Sequence, residues 1–318
     1  MELKKIVSID HGNKNIKTLN HVFTAGFMEC GHLPSIGGDI LVFGDKEYAL
    51  VDQRFPQKKD KSNDEEYFVL TLYAIGKELE TVNKIQTANS HDQVWNIELL
   101  VGLPPLQLKT MKQRFIAYFI KHKIPIEFAL NGIPIIIKIT HVHIYPQAYA
   151  AFITVAEKYK NIRTINVVDV GGHTVDIMQM VNLRPNMAVC TSLFGGVNTL
   201  FQRINESTRA KGDKNIPESA IEGVLRNLDK DMNECPQERK ALIQSKAEQF
   251  AHEMVAEITQ AGLDLREHQT LFVGGGAVLL KKYINNSGLV AKPDYIDDVQ
   301  ANAKGYVILY DRQTKNRN

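Results

Sequence analysis

Twice in this 318-residue chain a short apolar run ends on an aspartate and enters a glycine turn. Ile6-Val7-Ser8-Ile9-Asp10 leads into His11-Gly12-Asn13, and Ile165-Asn166-Val167-Val168-Asp169 leads into Val170-Gly171-Gly172. A third run, Leu271-Phe272-Val273, enters Gly274-Gly275-Gly276. Glycine has no Cβ to hold an anion away, so backbone N–H groups in such turns can cradle phosphate oxygens. Asp10 and Asp169, at the strand ends, supply the hard oxygen that a hydrated Mg²⁺ prefers. Lys17, on the strand returning from Gly12, is a point charge suited to phosphate. One such turn alone reads as an ordinary hairpin. Two of them opening two halves of a chain, with a triple glycine besides, point to a common phosphate-bearing ligand. No GxxxxGK[ST] and no well-placed GxGxxG is present, so P-loop and dinucleotide readings have no motif behind them.

Other candidates carry less. His141 and His143 alternate on a strand and share a face, a spacing open to metal, but no third ligand lies nearby in sequence and two strand histidines is the plainer reading. Cys30, Cys190 and Cys235 are too few and too scattered for a zinc or disulfide framework, which points to a reducing, cytoplasmic setting. The formal net charge of +2 gives no basic footprint for nucleic acid, and no apolar run is long enough to span a membrane. With 44% hydrophobic and 23% charged residues the chain can build ordinary globular cores.

The elements that must position these residues follow from pattern. Each Asp-tipped run is a strand followed by a returning strand. Residues 40–51 read as a hairpin, Arg54 to Glu66 as a solvated loop and Tyr67 to Glu80 as a helix. Ile97 to Val101 reads as a strand running into a proline-started helix over Gln107 to His122. Ile133 to Ile144 reads as a strand pair and Ala148 to Tyr159 as a helix. After the polar break at Asn161-Ile162-Arg163 the second half restarts, with helices expected over Val197 to Ser207, Pro217 to Met232 and Glu238 to Ala261, and from Ala277. The repeated opening fits a duplicated α/β domain with a cleft between the copies.

These segments resemble the actin-like ATPase superfamily, in particular its bacterial plasmid-segregation branch of ParM/StbA-like proteins. Asp10-His11-Gly12-Asn13-Lys14-Asn15-Ile16-Lys17 is similar to that branch's first phosphate loop, and Asp169-Val170-Gly171-Gly172-His173-Thr174-Val175-Asp176 to its second. Gly274-Gly275-Gly276 resembles the adenosine motif, and Ala301-Asn302-Ala303-Lys304-Gly305-Tyr306 the near-terminal signature; Tyr145-Pro146-Gln147 also matches. The pieces run in family order from residue 6 to 306. Gln107, after Leu103-Pro104-Pro105-Leu106, sits in the first connecting motif where the branch is expected to carry Glu. An amide cannot act as a strong base but can orient water; without the resemblance, Gln107 reads as a solvated helix-start residue. The same layout implies that Gly195-Gly196 turns the N–H groups of the Val197 helix toward the nucleotide.

The resemblance implies two actin-type (ribonuclease H-like) α/β domains with mixed sheets flanking a nucleotide cleft, over residues 1–160 with 305–318 returning, and 161–304. It implies ATP with Mg²⁺, GTP remaining an alternative, and a catalytic pair of Gln107 and Asp169. It further implies assembly into filaments on ATP binding, disassembly after hydrolysis, and plasmid DNA segregation through a DNA-binding adaptor rather than direct nucleic-acid or membrane binding. A small-molecule kinase of the same superfamily and a nucleotide-binding scaffold with little turnover are the alternatives.

Overall fold

The computed structural model describes residues 3–31, 38–56, 60–62, 64–83, 93–122 and 125–315, so residues 57–59 and 63 of the expected solvated loop lie outside the described residues. The chain divides into two compact units, residues 1–154 with 300–318, and residues 155–299. The polar break at 161–163 thus falls inside the second unit. The return to the first starts at Gln300 rather than at 305, because Ala301–Lys315 is one helix and cannot be divided at Gly305.

In the first unit, β1 (Leu3–His11) changes character along its length. Its first four residues alternate in exposure, whereas Val7 to His11 are buried throughout, as in a strand covered on both faces. Around it lie β2 (Asn15–Lys17), β3 (Val22–Thr24), β4 (Phe27–Glu29), β5 (Ile40–Phe43), β6 (Lys46–Leu50), β7 (Val94–Leu103), β8 (Ile126–Leu130) and β9 (Ile133–Pro146). Among the described residues these form one nine-stranded mixed sheet in the order β3-β2-β1-β7-β9-β8-β5-β6-β4. β1, β7 and β9 run parallel, while β2 turns back antiparallel with Asp10 opposite Lys17. Helix α1 (Glu66–Asn83) buries Tyr67 to Ile75 in the core, and α2 (Leu108–Ile120) follows a 3₁₀ turn at Pro105–Gln107.

Two expectations over residues 126–159 need correction. Residues 133–146 are one long strand, and its hairpin partner is β8, joined through Asn131-Gly132. Both turn residues have positive φ, 52° and 79°, as a two-residue hairpin turn requires, and Asn-Gly is the dipeptide that best supplies it. The helix expected from Ala148 is only α3 (Tyr149–Ile153), followed by a separate 3₁₀ turn at Ala156–Tyr159; Val155, with φ −124°, leaves the helical region between them.

The second unit repeats the theme. β10 (Thr164–Val170), β11 (Thr174–Val181), β12 (Arg184–Phe194), β13 (Gln269–Val273) and β14 (Pro293–Tyr295) form a sheet in the order β12-β11-β10-β13-β14. The first three are antiparallel and the last two parallel to β10. Reading β3-β2-β1-β7-β9 beside it gives the same order and the same directions, strand for strand. Helices α4 (Val197–Ala210), α5 (Glu218–Leu225), α6 (Asp229–Glu234), α7 (Gln237–Gln260) and α8 (Gly275–Asn286) complete the unit. The single helix expected over 217–232 is broken between α5 and α6, where Asn227 takes φ 58°. Among the described residues no helix is long and apolar enough to cross a membrane.

The C-terminal helix Ala301–Lys315 docks on the first unit by close backbone approach. Ser8 Oγ donates to the Ala303 carbonyl at 2.6 Å, and Asn302 Oδ1 accepts from the Ala148 amide at 3.0 Å. A Cβ on Gly305 would lie 1.9 Å from the Ala150 carbonyl oxygen. In an open helix Gly→Ala gains about 1 kcal/mol. Here the sign reverses: Gly305→Ala is expected to lower stability by about 1–3 kcal/mol through overpacking, read by urea unfolding. A stabilised variant would show that this docking contact is loose.

Candidate functional site

Asp10, at the carboxyl end of β1, is 2% exposed and collects donors from three parts of the first unit. Lys17 Nζ lies 3.2 Å from Oδ2, Gln147 Nε2 donates to Oδ1 at 2.7 Å, and the Tyr306 hydroxyl reaches Oδ1 at 3.4 Å. Burial pushes the carboxyl up, but the Lys17 ammonium, the Gln147 amide and the charge of Lys61 together hold it below the usual carboxylate range. Asp10 is therefore an anion at neutral pH. The expected magnesium group and the expected phosphate lysine are brought together as a pair.

The turn after it is tight. Gly12 N–H donates to the Asp10 carbonyl at 3.0 Å, and a Cβ on Gly12 would stand 2.5 Å from the Asn15 carbonyl oxygen. The Lys14 carbonyl accepts from Ala25 N–H at 2.8 Å, and Asn13 Oδ1 is buried with no hydrogen-bond partner. His11 faces inward, packed against Phe115, Phe119 and Tyr67. Its Nε2 is 2.8 Å from Thr71 Oγ1, whose hydroxyl donates to the Tyr67 carbonyl at 2.6 Å. The threonine oxygen must then accept, so His11 is the neutral tautomer with its proton on Nε2. Burial, and then Lys61, lower its pKa from 6.5 to about 3.

The second unit places Asp169 at the carboxyl end of β10, directly across from Asp176 on β11. Asp176 accepts from the Ser192 hydroxyl and from Thr174 Oγ1 at 3.3 Å. Three glycine turns pack backbone to backbone here. A Cβ on Gly196 would be 2.4 Å from the Gly171 carbonyl oxygen, and one on Gly276 2.6 Å from that of Val170. Gly274, with φ 89°, approaches Asp169 so closely that a Cβ would lie 2.3 Å from Oδ1. Gly275 differs: a Cβ there would meet nothing within 4 Å, so the start of α8, whose first amides have no carbonyl four residues back, opens on space.

The start of α4 does not present its amides as expected. Gly195 and Gly196 N–H both donate to the His173 carbonyl at 3.0 Å, Val197 N–H to Gly171 at 3.1 Å and Asn198 N–H to Gly172 at 2.8 Å. These donors brace the 171–173 loop from behind. Asn198 Nδ2 is 2.9 Å from His173 Nε2, so a donating amide leaves the imidazole proton on Nδ1. Gln107 closes the 3₁₀ turn beyond β7, half-buried, with its N–H donating to Pro104 at 2.9 Å. Because β7 runs parallel to β1, this turn and the Asp10 turn share the carboxyl edge of one sheet, where open α/β sheets bind ligands.

Gln147, Tyr306 and Lys61, whose Nζ donates to the His11 carbonyl, stand around the first turn, and sequence reasoning assigned none of them to the site. The first two lie in recognisable motifs; Lys61 carries no signal. His141 and His143 stack at 6.3 Å between ring centroids, and His143 lies 3.5 Å from Glu98. Among the described residues no group of three or more His, Cys, Asp or Glu is placed to hold a metal ion. A hydrated Mg²⁺, held mainly through water and phosphate, needs no such group. The ionised Asp10, the unpartnered Asn13 Oδ1 and the Cβ-free cradles fit a phosphate with a water-clad cation.

Fold and loops together define the class: the chain has the actin-like fold. The family described as archaeal actin homologue MreB-like, C-terminal, matches residues 167–286, a little over a third of the chain. Solved structures match at nearly full length. A 15-stranded ParM filament from Clostridium botulinum shares 16% identity over 98% of this chain and 99% of its own, with a TM-score of 0.73. Ta0583, an archaeal actin homologue in complex with ADP, shares 17% over 96% and 99%, with a TM-score of 0.72. The apo pSK41 ParM protein shares 16% over 98% of each chain, with a TM-score of 0.68. No curated protein matches the chain.

The buried imidazole sets a test. With a folded pKa depressed to about 3 against 6.5, His11 contributes stability that is complete above pH 6.5 and is lost as pH falls toward 3. At pH 5 that loss is about 2 kcal/mol relative to pH 7, and the slope should vanish in His11→Gln. Urea midpoints of both proteins across this range decide; parallel pH profiles would mean His11 does not titrate as a buried neutral group.

Proposed function

We propose that this chain binds ATP with Mg²⁺ through its two Asp-tipped glycine hairpins, hydrolyses it, and uses the nucleotide state to control assembly into filaments. The observation that carries this is the repetition: both units set the same hairpin on the same strand of the same sheet order, with Asp10 and Asp169 at matching ends. In this reading Asp10, Gly12, Asn13, Lys14, Asn15 and Lys17 of the first hairpin and Gly171, Gly172, His173 and Thr174 of the second are the phosphate-binding residues. Gly195 and Gly196 shape the second loop, and Gly274, Gly275 and Gly276 receive the adenosine part. Asp10 and Asp169 are the carboxylates that would hold a water-clad Mg²⁺, which would supply neutralisation of phosphate charge.

Gln107 orients the attacking water through its side-chain carbonyl, so the chain's own contribution to hydrolysis is positioning rather than proton abstraction. A filament-forming structural relative and another in complex with ADP support assembly and nucleotide use. Plasmid segregation through a DNA-binding adaptor, in the cytoplasm, is the role this reading extends to.

Light scattering and phosphate release, followed together after adding ATP or GTP, test it. Assembly with turnover supports the filament, whereas turnover only with an added small-molecule acceptor makes the chain a kinase. Assembly without turnover makes it a scaffold. Asp169→Ala is expected to abolish phosphate release while nucleotide binding persists; normal release removes Asp169 from the mechanism. Gln107→Ala should leave assembly intact and slow release by up to about 10²-fold in single turnover. Gln107→Glu should match or exceed the parent rate.

A further inference from the structure

One cation reaches the first glycine turn from outside every motif. Lys61 Nζ donates to the His11 carbonyl, on the peptide that leads into Gly12. The same ammonium stands 5.0 Å from the centroid of the Tyr67 ring. The turn that carries it is itself fixed. Ser62 donates through its N–H and its hydroxyl to Asp60 Oδ1, at 2.9 and 2.6 Å, and Asp60 Oδ2 pairs with Arg114 of α2 at 2.8 Å.

The far edge of that peptide is held too. Its N–H belongs to Gly12 and donates to the Asp10 carbonyl at 3.0 Å, while the His11 ring is locked by Thr71 and three aromatic neighbours. A peptide followed by glycine is the one most able to rotate, because glycine accepts φ of either sign. If φ of Gly12 changes with it, the amides of Asn13 and Lys14 that follow change direction. A loop that must be ordered on binding loses affinity to that ordering.

We infer that Lys61 is a positioning residue for the first phosphate turn: by holding the His11 carbonyl it fixes the His11–Gly12 peptide and aims the following amides at the anion. This rests on the nucleotide reading above. It extends that site to a residue of the segment before α1, and through Asp60 and Arg114 it ties the turn to the helix that follows Gln107.

Calorimetric titration with ADP and Mg²⁺ tests it on four proteins, each first checked for an unchanged circular dichroism spectrum. Lys61→Met should weaken binding about tenfold, the size of one charge-assisted hydrogen bond. Lys61→Arg, which can still donate to the carbonyl, should recover most of the loss. Lys61→Gln separates positioning from simple charge attraction: it keeps a donor without a charge, and so should bind more tightly than the Met variant. Without nucleotide, amide exchange at Asn13 and Lys14 should quicken in the Met variant alone. Should Lys61→Met not fold, Arg114→Met, which loosens the turn and keeps the ammonium, is expected to weaken binding about threefold. Binding unchanged in the Met variant, or equally weak in Met and Gln, overturns the inference. A parent protein that binds neither ADP nor ATP refutes the nucleotide reading instead, and is recognised before any variant is compared.

Discussion

A carboxylate buried at the end of β1 organises much of the first unit. An unpaired charge in a protein interior is too costly to keep, so Asp10 demands donors, and the chain brings them from far apart. Lys17 comes from the returning strand, Gln147 from beyond β9, and Tyr306 from a helix 296 residues along the chain. Each donor needs its element in register: Lys17 requires the β1–β2 pairing, Gln147 the parallel β7–β9 pairing, and Tyr306 a docked C-terminal helix. Glycine makes the last approach possible, since a Cβ on Gly102 would lie 1.9 Å from the Tyr306 hydroxyl. The near-terminal Ala-Asn-Ala-Lys-Gly-Tyr segment is thus architectural. It delivers a hydroxyl toward a carboxylate and fits the helix against Ala150.

The second unit adds close steric packing to the same layout. Asp169 sits where Asp10 does, but its surroundings are glycine backbones packed closer than any side chain would permit. That packing fixes the 171–173 loop through the first amides of α4. The two hairpins share a topology: the Lys17 ion pair and the Gln147 amide brace the first, and close glycine packing, together with the Asn198–His173 and Ser192–Asp176 hydrogen bonds, braces the second.

Much of this was legible from residue types. β-branched runs ending in Asp and Gly announced both hairpins, and their repetition announced a duplicated α/β domain. The β8–β9 hairpin has an equally strong signal in Asn131-Gly132, but the longer apolar run after it masks the pairing. β12 was hidden: Pro185, Asn186 and Ser192 blur the alternation of an edge strand. The break between α5 and α6 was hidden as well, since apolar spacing continues across Asn227 and only the backbone shows the turn. The direction of the α4 amides depends on main-chain packing between segments distant in sequence, and the partners of Asp10 depend on tertiary register. Side-chain type alone carries neither.

The C-terminal helix has a consequence for the order in which the molecule is made. The first unit takes its strands from the start of the chain and its closing helix from residues beyond 300, whereas the second is a single uninterrupted stretch, 155–299. On a ribosome the second unit has all of its residues available while the first still lacks the helix that covers Leu100 and Tyr145. Until that helix emerges, an apolar patch on β7 and β9 stays uncovered and the Asp10 carboxylate lacks its Tyr306 partner. Domains generally fold as units, and an incomplete one exposes surface that aggregates. The nascent chain therefore spends the synthesis of almost half its length with an open first sheet, a window in which a holding chaperone has an obvious surface to grasp.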